Sequence, residues 1–152
     1  MDVDDYLDWV DPGMTGTRGR LRPAFDVDDR FDSAQWSGSD AVQPPSWEWR
    51  SYLRGGAEVA RMLLCFEYRS HRSDSLSAAL LLSNFEVRND RLGEGIGRTI
   101  VAGLVREGSG HEMYLGPTDQ SIGFWRKMGW EVCGCRTRGC PDLMMRLAGR
   151  EH

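Results

Sequence analysis

A mixed α/β domain with an antiparallel hairpin at each end is the fold class these 152 residues predict, and three observations carry that prediction. Strand-like apolar runs crowd into residues 46–54, 58–69 and 77–87. A glycine-rich stretch, RLGEGIG, then opens a run with helical periodicity. A second helical pattern follows, and two short apolar runs close the chain. The length fits one domain that can bury a sizeable core.

Residues 1–18, MDVDDYLDWVDPGMTGTR, hold five Asp beside Tyr6, Leu7, Trp9 and Val10. They read as an acidic N-terminal extension, packed loosely through those apolar residues or serving as a partner-binding arm, ahead of a domain spanning 19–152. GRLRPAFDVDD offers a short strand followed by acids suited to a helix start, and QPP at 43–45 ends a polar segment. SWEWRSYLR alternates Trp47, Trp49, Ser51 and Leu53, and Gly55-Gly56 is a hairpin signal leading into EVARMLLCFEYR. After SHRSDS, SAALLLSNFEV reads as another strand.

Beyond the glycines, Ile96, Ile100, Val101, Leu104 and Val105 share one helical face, which GSG at 108–110 stops. HEMYLG predicts a short strand. PTDQSIGFWRKMG predicts a helix over 117–129, with Thr118 or Asp119 as N-cap and Gly129 just past its end. WEVCGCR and DLMMRLA complete the chain as two strands around a turn.

The net charge of −4 is uneven: residues 1–40 hold ten Asp and four Arg, and the remainder is slightly basic. That pattern argues against a nucleic-acid footprint, which needs a clustered basic face. No run approaches the ~20 apolar residues of a membrane span, and Met1 opens into acid, so a cytoplasmic protein is expected. Cys65, Cys133, Cys135 and Cys140 lack the paired spacing of zinc modules; they read as reduced thiols, with no metal. His71 and His111 read as solvent-facing.

A strand ending at Val87, a glycine loop and a helix start form a geometry suited to an anion: outward N–H groups, about half a positive charge at the helix N-terminus, and no side chains in the way. The spacing is neither that of the P-loop nor the G-x-G-x-x-G dinucleotide fingerprint. The alternative is a merely structural turn.

The order VRNDRLGEGIGR, apolar helix, strand, SIGFWRKMGW and terminal DLMMRL resembles the GNAT superfamily of N-acetyltransferases. Their loop is typically [QR]-x-x-G-x-[GA] and their later segment A-I-x-F-Y-x-K-x-G-F. Gly95 and Gly97 occupy the paired small positions, and Ser121, Ile122, Phe124, Lys127, Gly129 and Trp130 fit the second segment. The resemblance implies a central mixed, mostly antiparallel sheet flanked by helices, with a shortened N-terminal helical region and RLRPAFDVDD as opening strand. It implies acetyl-CoA as acyl donor and direct attack on it by a primary amine of a small molecule or peptide, with no nucleic acid or membrane partner and with room for a homodimer.

By the same resemblance, the strand Leu80 to Val87 splays from its neighbour, and backbone near Phe85 and Val87 pairs with pantetheine. The N–H of Val87 serves the oxyanion. Amides of Leu92, Gly93, Glu94, Gly95, Ile96, Gly97 and Arg98 hold the pyrophosphate, while Thr118, Ser121 and Phe124 complete the cofactor side. Glu86 is the carboxylate available as base, or else a salt-bridged surface glutamate; strand alternation sets it opposite Phe85 and Val87. Three positions depart from the pattern: Leu92 for Gln or Arg, Thr118 for Asn, and Trp125 for the Tyr that protonates the departing thiolate. Proton delivery then falls to Tyr114, which otherwise reads as a core strand residue, to Ser121 or to water. A binding module that holds acyl-CoA without turnover is the competing reading.

Overall fold

The computed structural model describes residues 7–17, 20–32, 36, 47–68, 79–108, 110–118, 120–132 and 145–147. The strands are β1 (Asp8–Val10), β2 (Met14–Thr17), β3 (Arg20–Pro23), β4 (Trp47–Arg54), β5 (Ala57–Tyr68), β6 (Ala79–Val87), β7 (Met113–Leu115), β8 (Trp130–Val132) and β9 (Met145–Leu147). The helices bounded within the described residues are α1 (Ile96–Glu107) and α2 (Ile122–Lys127). Seven strands form one sheet in the order β1-β4-β5-β6-β7-β9-β8, and β2 and β3 form a separate ribbon. Within the large sheet only β6 and β7 run parallel, joined through α1.

The β4–β5 hairpin turns on Gly55 and Gly56 at φ +58° and +81°, the two left-handed positions that match the twist of paired strands. β5 is apolar without interruption from Met62 to Cys65, where both its faces are covered. Met62 and Leu64 join the main core with Ile96, Ile100, Val101 and Leu104 of α1, and Leu63 packs with Phe31, Trp36 and Trp49 on the other side.

β6 bends at Ser83. Leu63 faces Asn84 and Leu64 faces Leu82, so Ser83 is an extra residue, a bulge. Below it, Leu80 to Leu82 pair with Met113 to Leu115; beyond it, residues 83–87 have no partner on the β7 side among the described residues. The sheet opens there.

Three expectations change in the N-terminal part of the chain. The acidic N-terminus supplies the sheet's edge: Asp8, Trp9 and Val10 pair with Leu53, Tyr52 and Ser51, and Leu7 reaches the core, so the sheet extends across the boundary expected at residue 18. The expected opening strand at 20–29 is only β3, paired with β2 outside the large sheet. Instead of a helix start, Asp28 takes the Arg30 amide on its own carboxylate at 3.0 Å, and residues 24–32 contain no helix.

The helix expected over 117–129 begins at Ile122. The Ser121 amide bonds the Thr118 carbonyl at 3.0 Å, and Ser121 Oγ both donates to that carbonyl and accepts the Thr118 amide, closing a turn ahead of the helix. Gly129, at φ +94°, ends it as expected. The expectations for Asp119, His71, Cys133, Cys135 and Cys140 lie outside the described residues; Cys65 is a buried free thiol and His111 is exposed.

Candidate cofactor cleft

The loop between β6 and α1 is anchored at its start. Buried Arg88 donates its amide to the Val59 carbonyl at 2.8 Å, Nη1 to the Glu58 carbonyl at 3.1 Å and Nε to Asp90 at 2.6 Å. A single 3-10 turn over Asn89–Arg91 follows. Arg91 then pairs with Glu94 across the loop at 3.0 Å. Gly93 and Gly95 stand at φ +84° and +79°, a conformation costing an L side chain roughly 1–2 kcal/mol.

Gly95 is also the N-cap of α1 and brings no side chain to it. The first helical bond runs from Thr99 N to the Gly95 carbonyl at 3.0 Å, so the amides of Ile96, Gly97 and Arg98 have no intrahelical acceptor. No acidic residue lies in this first turn. Gly97 has ordinary helical backbone and serves approach: a Cβ there would stand 3.4 Å from the Phe124 ring and 3.5 Å from Val87 Cγ2. The glycine lets α1 sit against both.

In front of these amides lies an open cleft of about 920 Å³. Phe85, Glu86, Val87, Leu92, Gly93, Glu94, Gly95, Ile96, Gly97, Arg98, Thr118, Ser121 and Phe124 all line it. So do Asn89, Arg91 and Gln120, which the sequence reading did not assign. Arg91 adjoined the glycines and was within reach of sequence reasoning; Gln120 comes near only through the turn before α2. The Arg91 Nε is buried without a partner among the described residues, and Leu92 stands 68% exposed at the rim.

Strand pairing also settles which way the backbone of β6 faces. Arg88 bonds Val59, and paired residues alternate between bonded and non-bonded along antiparallel strands. Phe85 and Val87 therefore turn their N–H and C=O groups away from β5, toward the opening. Their side chains pack toward α1 and α2, with Phe85 6.0 Å from Trp125 between ring centroids.

Glu86 points to the opposite face. One carboxylate oxygen accepts the Trp36 indole N–H at 2.7 Å, and the Asp32 amide reaches both oxygens at 3.0 and 2.9 Å. No local pattern announces the Trp36 contact, because it joins residues 50 positions apart.

Tyr114 is elsewhere. Met113 and Leu115 face α1, so alternation turns Tyr114 to the other side of β7, fully buried, its ring 5.8 Å from Tyr68 and its hydroxyl 3.1 Å from Glu112. It does not line the cleft, which corrects its expected role as proton donor. Trp125 is buried too, stacked edgewise with Phe124 and Trp130 at 5.0 and 5.6 Å.

An ion-pair chain braces the loop. Arg30 binds Asp28 at 2.8 Å and reaches Asp90 at 3.7 Å. Arg30's hydrogen bonds hold the Asp28 carboxyl well below the usual carboxylate range. At Asp90, desolvation pushes upward, and the Arg88 hydrogen bond with the Arg88 and Arg30 charges outweighs it, leaving the carboxyl lowered. A lowered folded-state value means stability present above the unfolded value of about 3.9 and lost as pH falls through the folded one. The stability gap between the protein and its Asp28→Asn variant, measured by urea unfolding, is expected to be widest near neutrality and to narrow progressively as pH falls below about 4. A gap independent of pH would remove Asp28 from the brace.

No family model and no curated protein matches the chain. Solved structures do. PH1933 from Pyrococcus horikoshii OT3 aligns with a TM-score of 0.53 at 16% identity, over 68% of this chain and 65% of that one. A tyrosine-to-phenylalanine mutant of the toxin AtaT, bound to the C-terminus of the antitoxin AtaR and acetyl-CoA, gives 0.53 at 12% identity over 66% and 67%. The IAA acetyltransferase of Bacillus cereus ATCC 14579 gives 0.51 at 15% over 67% and 77%. The fold is that of the GNAT N-acetyltransferases. The chain thus spans about two thirds of PH1933 and of AtaT. Two features of this GNAT fold shape the cleft: the bulge at Ser83 that opens β6 from β7, and the glycine loop that leads into α1. No helix among the described residues is long and apolar enough to cross a membrane, and no described group of His, Cys, Asp or Glu is placed to hold a metal.

Proposed function

We propose that the protein transfers an acetyl group from acetyl-CoA to a primary amine by direct attack. The observation that carries this reading is the cleft itself, where free amides of Ile96, Gly97 and Arg98 at a helix N-terminus stand beside the opened edge of β6. The amides and the helix dipole suit the pyrophosphate. The apolar floor of Phe85, Val87 and Phe124 suits the pantetheine arm. The amine nitrogen attacks the thioester carbonyl; the Val87 N–H, directed into the opening, receives the developing oxyanion. Glu86 takes the amine's proton, and the C–S bond breaks to release CoA as thiolate, which water or Ser121 protonates.

Gly97→Glu is expected to weaken acetyl-CoA binding at least about 100-fold, equivalent to about 2.7 kcal/mol, because it drives a carboxylate between Phe124, Val87 and the anion site. Calorimetric titration reads this directly. Wild-type affinity in the variant would remove the pyrophosphate assignment.

The second reading, an acyl-CoA-binding module without turnover, is favoured by the absence of any tyrosine from the cleft lining among the described residues. Thiol release over a panel of amines and peptides separates the two: binding without release in any reaction supports the module.

A further inference from the structure

A second groove, of about 690 Å³, runs along the outer side of α1 toward the sheet edge. Its walls are Leu7 and Trp9 on one side and the helix positions Arg98, Ala102 and Arg106 on the other, with Gly103 between the arginines. Leu7 and Trp9 share the parity that faces α1, and Trp9 remains 37% exposed over the Arg50 guanidinium, 4.2 Å from its centre. Arg98 and Arg106 are exposed, and neither has a hydrogen-bond or ion-pair partner among the described residues. Among the described residues the one carboxylate in the groove is Glu107, which is engaged by Arg50 at 2.9 Å and so does not neutralise Arg106.

We infer that this groove docks an extended acidic peptide segment of a partner protein, with carboxylates four residues apart and an apolar side chain between them. The spacing follows from geometry. Eight helical residues separate the two arginines by about 12 Å along α1. In an extended chain, side chains at i and i+4 lie on one face about 13 Å apart, and i+2 falls midway. The midpoint lies over Ala102 and Gly103, where small residues leave room against Trp9. Charge sets the partner: two free guanidiniums reject a basic segment and favour a carboxylate at each end. Docking does not require the cofactor reading to hold. Arg98 also lines the cofactor cleft, so a ligand that engages it from the groove and an anion in the cleft influence one another's affinity reciprocally.

The test is fluorescence anisotropy on the full chain without acetyl-CoA, using labelled peptides ETLTE, KTLTK and EETLT. The expected result is saturable binding of ETLTE, weakened by salt and about tenfold tighter than for the other two. Arg106→Glu is expected to weaken it about tenfold while leaving acetyl-CoA affinity and thermal stability in place. Gly103→Leu, which fills the groove without touching charge, should weaken it as well. The inference is overturned by lack of saturation at millimolar peptide, by equal affinity for ETLTE and EETLT, or by indifference to both substitutions. It is also overturned if ETLTE binds only after residues 1–6 are removed, since the groove then belongs to the chain's own acidic start.

Discussion

Replacing Arg50 by alanine is expected to lower the unfolding free energy by about 2–4 kcal/mol. Arg50 is only 2% exposed, yet it ties β4 to α1 and β1: Nε binds Glu48 of β4 at 2.6 Å, Nη2 binds Glu107 of α1 at 2.9 Å, and Nη1 donates to the Tyr52 hydroxyl of β4 at 3.1 Å. Trp9 of β1 stacks on its guanidinium. The buried Tyr52 hydroxyl, whose titration burial pushes upward, would lose its charged donor. Glu107 is 50% exposed and would turn to water, so the cost stays below that of stranding a buried charge. For a chain of this size each kcal/mol moves the midpoint by about 2–4 °C, which places the expected loss in Tm at roughly 5–15 °C. Arg50→Met, keeping the stem's packing, should recover more than half. A Tm for Arg50→Ala within about 2 °C of the parent would show that packing alone joins β1, β4 and α1.

What could be read from sequence divides along sequence distance. The Gly55-Gly56 hairpin, the buried face of α1 and the loop glycines follow from rules acting within a few residues, and all stand where expected. β1 was hidden for the opposite reason. Five Asp among eighteen residues look like a solvated tail, and what makes it an edge strand lies far along the chain: the pairing with β4 and Arg50, forty-one positions from Trp9. The start of α2 was misread because Ser121 and Thr118 close a turn that competes with the helix, and both residue types also suit an N-cap. In β7, three residues long, the side each residue faces is set by the parallel register with Leu80 to Leu82. Nothing local told Tyr114 which side it would take. The cleft lining was legible because half of it is one continuous stretch, 91–98, preceded directly by the end of β6; the hold on Glu86 was not.

That hold frames the prediction with the largest effect. Glu86→Gln is expected to lower kcat by about 10²–10⁴-fold for whichever amine turns over, with the KM for acetyl-CoA changed by less than about threefold. Glu86 lines the cleft, while its side chain leaves β6 on the face opposite Phe85 and Val87. On the proposed reading, an amine approaching from that face would meet the carboxylate while the cofactor lay along the backbone edge. Among the described residues, the Asp32 amide and the Trp36 indole fix the carboxylate without exhausting its roughly four lone-pair sites, which leaves acceptor capacity for a substrate N–H. Glutamine keeps the size and one carbonyl acceptor but no longer takes a proton. Trp36→Phe keeps the ring and removes only the N–H, and should lower kcat about tenfold through looser positioning. If Glu86→Gln turns over at the parent rate and loses only about 1 kcal/mol of stability, Glu86 is a strut that ties Asp32 and Trp36 to β6, and the base must be sought elsewhere.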